Sequence, residues 1–400
     1  MTKRILFLTP QLPFPPQQGT AIRNWNLMVQ AAARNEVHLL SFSDGEPSPE
    51  QLAAVNSICA SVRIVPTPSR TPIQRLGTTL FSPLPDLALR LRSSALKQEL
   101  MQALAAVKPD LLQVEGLEMA TEVAETASAR LLYDAHNAEY LLQKRMSVAD
   151  AAHLRRWPGA LYSFLQWRKL RAYEARVCQR AHHVLACSPL DAAALREISP
   201  GLEPLVVPNG VDCEQYRPGV VPPLELGGQS LVFTGKMDFR PNVDAVLWFA
   251  NAVLPLARAR APETKLYVVG KNPHPRLDSL RGVEGVTLTG YVEDVRPYIA
   301  GASAYVVPLQ SGGGTRLKVL EAMAMGQALV TTTLGGEGID AQSGRDWLVA
   351  DSPATFAEQV LLLLTDRALA GRLGLAAREF VAAHFDWHIV TKPLMALYDS

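Results

Sequence analysis

The chain has 400 residues, 48% of them hydrophobic and 19% charged, with 26 Gly and 29 Pro. That is ample for large cores, excludes disorder and collagen-like repeats, and at roughly 100–200 residues per domain favours two domains. Thirty-nine Lys and Arg against 38 Asp and Glu leave a net charge of +1, which excludes the broad cationic field of a duplex-binding protein.

From the N-terminus, the run Ile5 to Leu8 is shorter than the roughly 7–15-residue core of a secretory signal, and no stretch approaches the ~18 apolar residues of a membrane span. Cys59, Cys178, Cys187 and Cys213 never form C-x-x-C, so neither a zinc site nor a redox pair is signalled. The expected location is the cytoplasm, with packing thiols.

Apolar runs then alternate with helical stretches, as in a parallel sheet buried on both faces by crossover helices. The first series of predicted strands is Ile5–Thr9, Val37–Phe42, Val62–Val65, Leu111–Val114, Arg130–Asp134 and His183–Cys187. Ser188-Pro189 starts a helix with an N-cap and a first-turn proline, supported by Asp191. The second series is Leu231–Thr234, Lys265–Val269, Val286–Thr289, Ser303–Val307, Ala328–Thr332 and Trp347–Val349. Between them, the Pro- and Gly-rich stretch 217–229 breaks helix and strand alike and marks the boundary. Each series has the strand number of a doubly wound α/β domain, which binds ligands outside the carboxyl ends of its strands. Two such edges facing each other would make a cleft.

The most informative stretch is 308–330, a strand end, a glycine loop, a helix and another strand. Gly312, Gly313 and Gly314 let backbone approach a ligand, and the free amides of a helix starting near Thr315 can hold an anion. Arg316 and Lys318 add full charges in the first turn, where cations oppose the helix dipole unless a polyanion sits between. Glu321 lies about two turns into the helix and leans back toward that start, where it could accept from a ribose diol or be a plain surface acid. Gly326 can close the helix.

This segment resembles the donor-site signature of GT-B-fold retaining glycosyltransferases of family 4, and the resemblance extends over nearly the whole chain. Val207-Pro-Asn-Gly-Val-Asp212, the stretch from Phe233 to Asn242 and Gly290-Tyr-Val-Glu-Asp-Val295 match in order and spacing. The resemblance implies two Rossmann-like domains facing across a cleft: 1–208 on the acceptor side, 209–384 for the nucleotide-sugar donor, and 385–400 returning to the first. The family commonly carries Glu eight positions before the Glu matched by Glu321; here that position is Gly313, and the Gly-Gly-Gly-Thr-Arg-Leu-Lys variant is similar to an exopolysaccharide-associated subgroup.

By the same resemblance, Lys236 and Arg240 would hold the diphosphate, a compact charge and a planar fork that suit phosphate oxygens. The backbone at Val292 would meet the nucleobase. His136, just past the strand ending at Asp134, would contact the sugar or the reaction centre, with Glu139 orienting it or meeting the acceptor. Gly19 would let backbone approach the leaving phosphate, or merely turn the chain, and Arg23 would touch acceptor or phosphate. The implied reaction is metal-independent and cofactor-free transfer of a sugar from a nucleotide diphosphate sugar to a glycan, lipid-linked or small-molecule hydroxyl. Two other readings are a non-catalytic nucleotide-sugar scaffold and a sugar-nucleotide epimerase of the same fold. The aromatic and cationic stretch around Trp157, Tyr162, Phe164 and Trp167 is expected in the core, the alternative being a peripheral contact with the inner membrane surface.

Overall fold

A computed structural model of the chain describes residues 2–123, 129–151, 157–227, 229–312 and 316–400. They fall into two compact units, Met1–Pro208 with Thr391–Ser400, and Asn209–Val390.

The first unit is built on β1 (Arg4–Thr9), β2 (Glu36–Ser43), β3 (Ser61–Pro66), β4 (Leu111–Glu115), β5 (Arg130–Ala135), β6 (His183–Ala186) and β7 (Leu205–Val206). They form one parallel sheet in the order β3-β2-β1-β4-β5-β6-β7. Ile5, Phe7 and Leu8 are fully buried, because crossover helices cover both faces and leave no polar side to alternate with. Each such side chain contributes about 1.5–3 kcal/mol of burial. Helix Pro189–Ile198 starts as read: the Ser188 side chain accepts from the Asp191 amide.

The second unit carries β8 (Gln229–Thr234), β9 (Thr264–Val269), β10 (Val286–Gly290), β11 (Ala304–Val307), β12 (Leu329–Thr331) and β13 (Leu348–Val349), parallel in the order β10-β9-β8-β11-β12-β13. Both units are thus doubly wound. Helix Leu317–Ala324 ends at Gly326, whose φ of +72° is the left-handed conformation that closes a helix without a Cβ penalty.

The Pro- and Gly-rich stretch belongs to the second unit instead of lying between the two. The Leu224 amide donates to Pro297 O at 2.9 Å and Leu226 is buried in the core. The division falls at Pro208, the end of the 1–208 domain implied by the resemblance and ahead of that stretch, and the return to the first unit begins at Thr391, not Phe385. Asp386 bridges Val211, and the Trp387 amide donates to Val211 O, which keeps 385–390 with the second sheet. All four cysteines are buried and free. Among the described residues, no helix is long and apolar enough to cross a membrane.

Candidate functional site

In a doubly wound sheet, ligands bind outside the carboxyl ends of the strands where the strand order reverses. In the second unit that point lies between β8 and β11. The chain leaves β8 through Thr234-Gly235-Lys236 and leaves β11 toward Gly312 and Arg316, which precedes helix Leu317–Ala324. Gly235 and Gly270 have φ of +153° and +156°. A Cβ on Gly270 would stand 1.7 Å from Gly235 O, and one on Gly235 would stand 2.7 Å from Lys318 Nζ. Both positions therefore need glycine, and the two strand ends meet as bare backbone beside a lysine.

Lys318 Nζ sits 4.0 Å from the centroid of the Phe233 ring and donates to Asn242 Oδ1 at 2.8 Å. Asn242, in helix Arg240–Trp248, donates in turn to Lys236 O at 2.9 Å, so one amide braces both loops. Burial, and then the charge of Arg316, pushes the Lys318 ammonium down to about 7, with Glu321 pulling the other way. Burial raises the Glu321 carboxyl to about 7 against Lys318 and a hydrogen bond from Tyr216. An ammonium held this low gains charge when a polyanion arrives, because the anion offsets what burial removed.

The other donor-side residues sit around this centre. Arg316 packs against the glycine loop, where a Cβ on Gly312 would lie 3.1 Å from its Nη2. Lys236 Nζ is 3.5 Å from Asp238 Oδ2, and Arg240 Nε is 3.5 Å from Asp244 Oδ2. Val292 is half-buried against the core beside an exposed Tyr291. Gly313, Gly314 and Thr315 lie outside the described residues.

In the first unit the reversal falls between β1 and β4. Glu115 ends β4 directly opposite Asp134 in β5, and His136 follows β5. His136 Nε2 lies 3.0 Å from Glu115 Oε2 and 3.8 Å from Asp134 Oδ2. Burial lowers the imidazole, but the Glu115 hydrogen bond and the charges of Asp134 and Glu115 outweigh it and hold it above the ordinary range. Glu115 is pushed up to about 7 by burial and by Asp134. Its Oε1 accepts from Gln113 Nε2 at 2.7 Å, and Gln113 Oε1 accepts from the hydroxyl of Tyr398 in the returning helix Lys392–Asp399. Asn24, with its amide turned to satisfy both partners, donates to Thr20 O and, at 2.9 Å, to Glu115 Oε2.

Arg23 corrects an expectation. It is buried, and its guanidinium forks onto Asp134 at 2.7 and 2.8 Å and donates to Val207 O at 2.9 Å. Burial would raise Asp134, yet Arg23 holds the carboxyl below the ordinary range. The residue acts on the strand-end loop from inside instead of presenting its charge to a ligand. Glu115, Asp134 and His136 also bring three possible metal-ligand atoms within 4.8 Å, and the cation facing both Asp134 oxygens is Arg23 itself.

The partner that orients His136 is Glu115, not Glu139. Glu139 opens helix Glu139–Ala151, its carboxyl raised to about 7 by burial and Glu118, with a 3.3 Å bond from Asn137. Gly19 is the first residue of helix Gly19–Ala32, whose N-cap Gln18 makes no side-chain capping bond. Glu115, Gln113 and Tyr398 carried no motif, and Asn242 closed a matched stretch without a role of its own. The available signal was an acid immediately after the Leu111–Val114 run, and only the β4-β5 pairing shows that it stands opposite Asp134.

Comparison with known proteins gives two family matches: "Glycosyltransferase Family 4" over residues 18–215 and "Glycosyl transferases group 1" over residues 228–366. The glycogen synthase of Mycobacterium tuberculosis is 28% identical over 246 residues, 58% of this chain and 57% of that protein. A phosphatidyl-myo-inositol mannosyltransferase of Propionibacterium freudenreichii is 26% identical over 235 residues, 56% and 57%. The chain thus spans about half the length of the curated relatives it matches. Among solved structures, Anabaena Alr3699/HepE in complex with UDP and glucose has a TM-score of 0.68 at 14% identity, covering 99% of both chains. Sucrose-phosphate synthase from Thermosynechococcus elongatus has a TM-score of 0.72 at 18% identity, covering 99% of this chain and 98% of that one. At these identities the likeness establishes the two-domain GT-B fold.

Proposed function

The chain belongs to the glycosyltransferases described by those two family models, and from that premise we propose that it is a retaining transferase acting on a nucleotide diphosphate sugar. The acceptor is a hydroxyl of a glycan, lipid-linked or small molecule, in polysaccharide or glycoconjugate assembly of the exopolysaccharide kind. The observation that carries this reading is the convergence of bare backbone at Gly235 and Gly270, the low-set ammonium of Lys318 and the loop cations at the switch point of the second sheet.

In the reaction, the bond from the anomeric carbon to the diphosphate breaks, its electron pair leaves on a phosphate oxygen, and the acceptor oxygen bonds to the same carbon. The acceptor proton passes to the departing diphosphate on the same face. Lys236, Arg240 and the helix amides at Gly314 to Arg316, with the charges of Arg316 and Lys318, stabilise the charge that develops on the leaving group, with no metal ion assigned. Glu321 holds the ribose diol, Val292 backs the base and Gly19 approaches the leaving phosphate. His136, set by Glu115, contacts the sugar, with Glu139 on the acceptor side.

UDP-hexoses and GDP-mannose are the donors to try first, since Anabaena HepE is solved with UDP-glucose and one relative is a GDP-mannose-dependent mannosyltransferase by name. Calorimetry with nucleoside diphosphates should show weaker binding for Lys236→Ala, Arg240→Ala and Glu321→Ala, and unchanged affinity in all three removes the donor site. His136→Ala should lower transfer more than donor binding. Donor consumed without an acceptor would favour an epimerase, and donor bound but never consumed in the presence of membrane extract a scaffold.

A further inference from the structure

Of the aromatic stretch expected in the core, Trp167 packs against it, whereas Trp157, Tyr162 and Phe164 are exposed. Helix Trp157–Arg180 buries Ser163, Gln166, Leu170, Tyr173 and Val177, one continuous stripe at helical spacing, and needs nothing more to pack. Its opposite side carries Trp157 and Leu161, 59% and 62% exposed, followed by exposed Phe164 and Leu165. Helix Pro72–Phe81 adds Ile73 and Phe81, 84% and 86% exposed and eight residues apart, a little over two turns and so on one side of that helix. The two helices are fastened together: Lys169 Nζ donates to Thr79 O at 2.6 Å, and the Tyr162 hydroxyl meets Arg75.

The charge around these apolar residues is mostly positive, with Asp86 paired to Arg75 at 3.5 Å and Glu197 to Arg171 at 3.8 Å as the acids among them. Helix Pro72–Phe81 contains Arg75 and no acid, and helix Trp157–Arg180 contains five Lys or Arg against one Glu, the fully buried Glu174. Lys144, from helix Glu139–Ala151, stands over the Trp167 ring at 5.4 Å, and Arg168 stands over Phe164 at 6.0 Å. The first turns of the long helix are aromatic and its later turns cationic.

We propose that this face docks the protein on an anionic bilayer surface, with Ile73, Phe81, Trp157 and Leu161 in the headgroup boundary and the arginines and lysines at phosphate level. An amphipathic helix with exposed apolar residues and a cationic border has the composition that lies in a membrane interface, and anionic lipids attract such borders. A second copy is a poor occupant, since a two-fold contact would set like cations against each other. The docking does not depend on the donor-site reading.

The test is co-sedimentation of the full chain with phosphatidylcholine vesicles, with and without phosphatidylglycerol. Binding should require phosphatidylglycerol and weaken with salt, because screened surface charges lose their reach. The double variant Ile73→Glu/Phe81→Glu should partition at least about tenfold less. Both side chains are exposed, so its melting temperature and nucleoside diphosphate affinity should match the parent, which separates this outcome from failure of the donor site. A second variant, Arg168→Glu/Arg171→Glu, should lose the phosphatidylglycerol dependence. No binding by the parent, equal binding by the variants, or a dimer in gel filtration that the first variant splits while vesicles bind neither, overturns the proposal.

Discussion

Replacing Arg23 with methionine distinguishes an internal anchor from a ligand contact. The substitution keeps an apolar stem of similar reach but removes the 2.7 and 2.8 Å fork onto Asp134 and the 2.9 Å bond to Val207 O. Asp134, fully buried, would then face Glu115 across the β4-β5 pairing with only the His136 imidazole, 3.8 Å away, left to offset its charge. Breaking a buried pair by removing one partner costs about 3–5 kcal/mol. For a unit of this size that lowers the melting temperature by on the order of 10 °C. The sign with pH follows from Asp134. With Arg23 present its carboxyl is held low, so this contribution is in place above the unfolded-state value and fades as pH falls. Without Arg23, burial dominates and the carboxyl rises, so the native variant binds a proton that the unfolded chain does not. The deficit should be largest near pH 8 and shrink toward pH 5.5. Scanning calorimetry at both pH values reads it, and adding Asp134→Asn to the variant should cost less than the sum of the two single changes. A variant of parental stability that binds acceptor poorly would refute the reasoning and restore Arg23 as a ligand contact.

The affinity for nucleoside diphosphate should fall about 50-fold between pH 7 and 9, because Lys318, near 7 in the free protein, must be protonated in the complex. Lys318→Met should flatten that slope, and calorimetry showing the same slope in both proteins would exclude Lys318 from the phosphate seat. Tyr398→Phe leaves the buried Gln113 carbonyl without its donor and should cost about 1–3 kcal/mol, together with an altered pH profile of transfer through Glu115 and His136. A stability loss with an unmoved pH profile would make Tyr398 purely structural. Gly270→Ala, whose methyl would collide with Gly235 O, should destabilise by more than about 2 kcal/mol, whereas Gly371→Ala, helical and with nothing within 4 Å, should stabilise by about 0.5–1 kcal/mol in the same denaturation series.

The alternation of apolar runs and helices located the strands, including Ile5–Thr9, Lys265–Val269 and Ser303–Val307, because burial on both faces writes itself into contiguous sequence. The same locality is what singled out the glycine loop and the cations of Arg316 and Lys318 for the proposed anion seat. β7 escaped because two residues carry no period. The linker was misplaced because proline and glycine mark irregular backbone, whether it lies between units or, as Leu224 and Leu226 do, against one of them.

What the sequence determined by itself is therefore the order of elements, the doubly wound class and the residue types of the proposed phosphate loop, all set by neighbours within a few turns of chain. The tertiary structure decided who pairs with whom. Arg23 finds Asp134 across 111 positions and Tyr398 finds Gln113 across 285. It also decided that one face of helix Trp157–Arg180 stays outside while the other fills the core. Composition gives an aromatic helix the same reading in either place, and only the packing around it determines which side meets solvent.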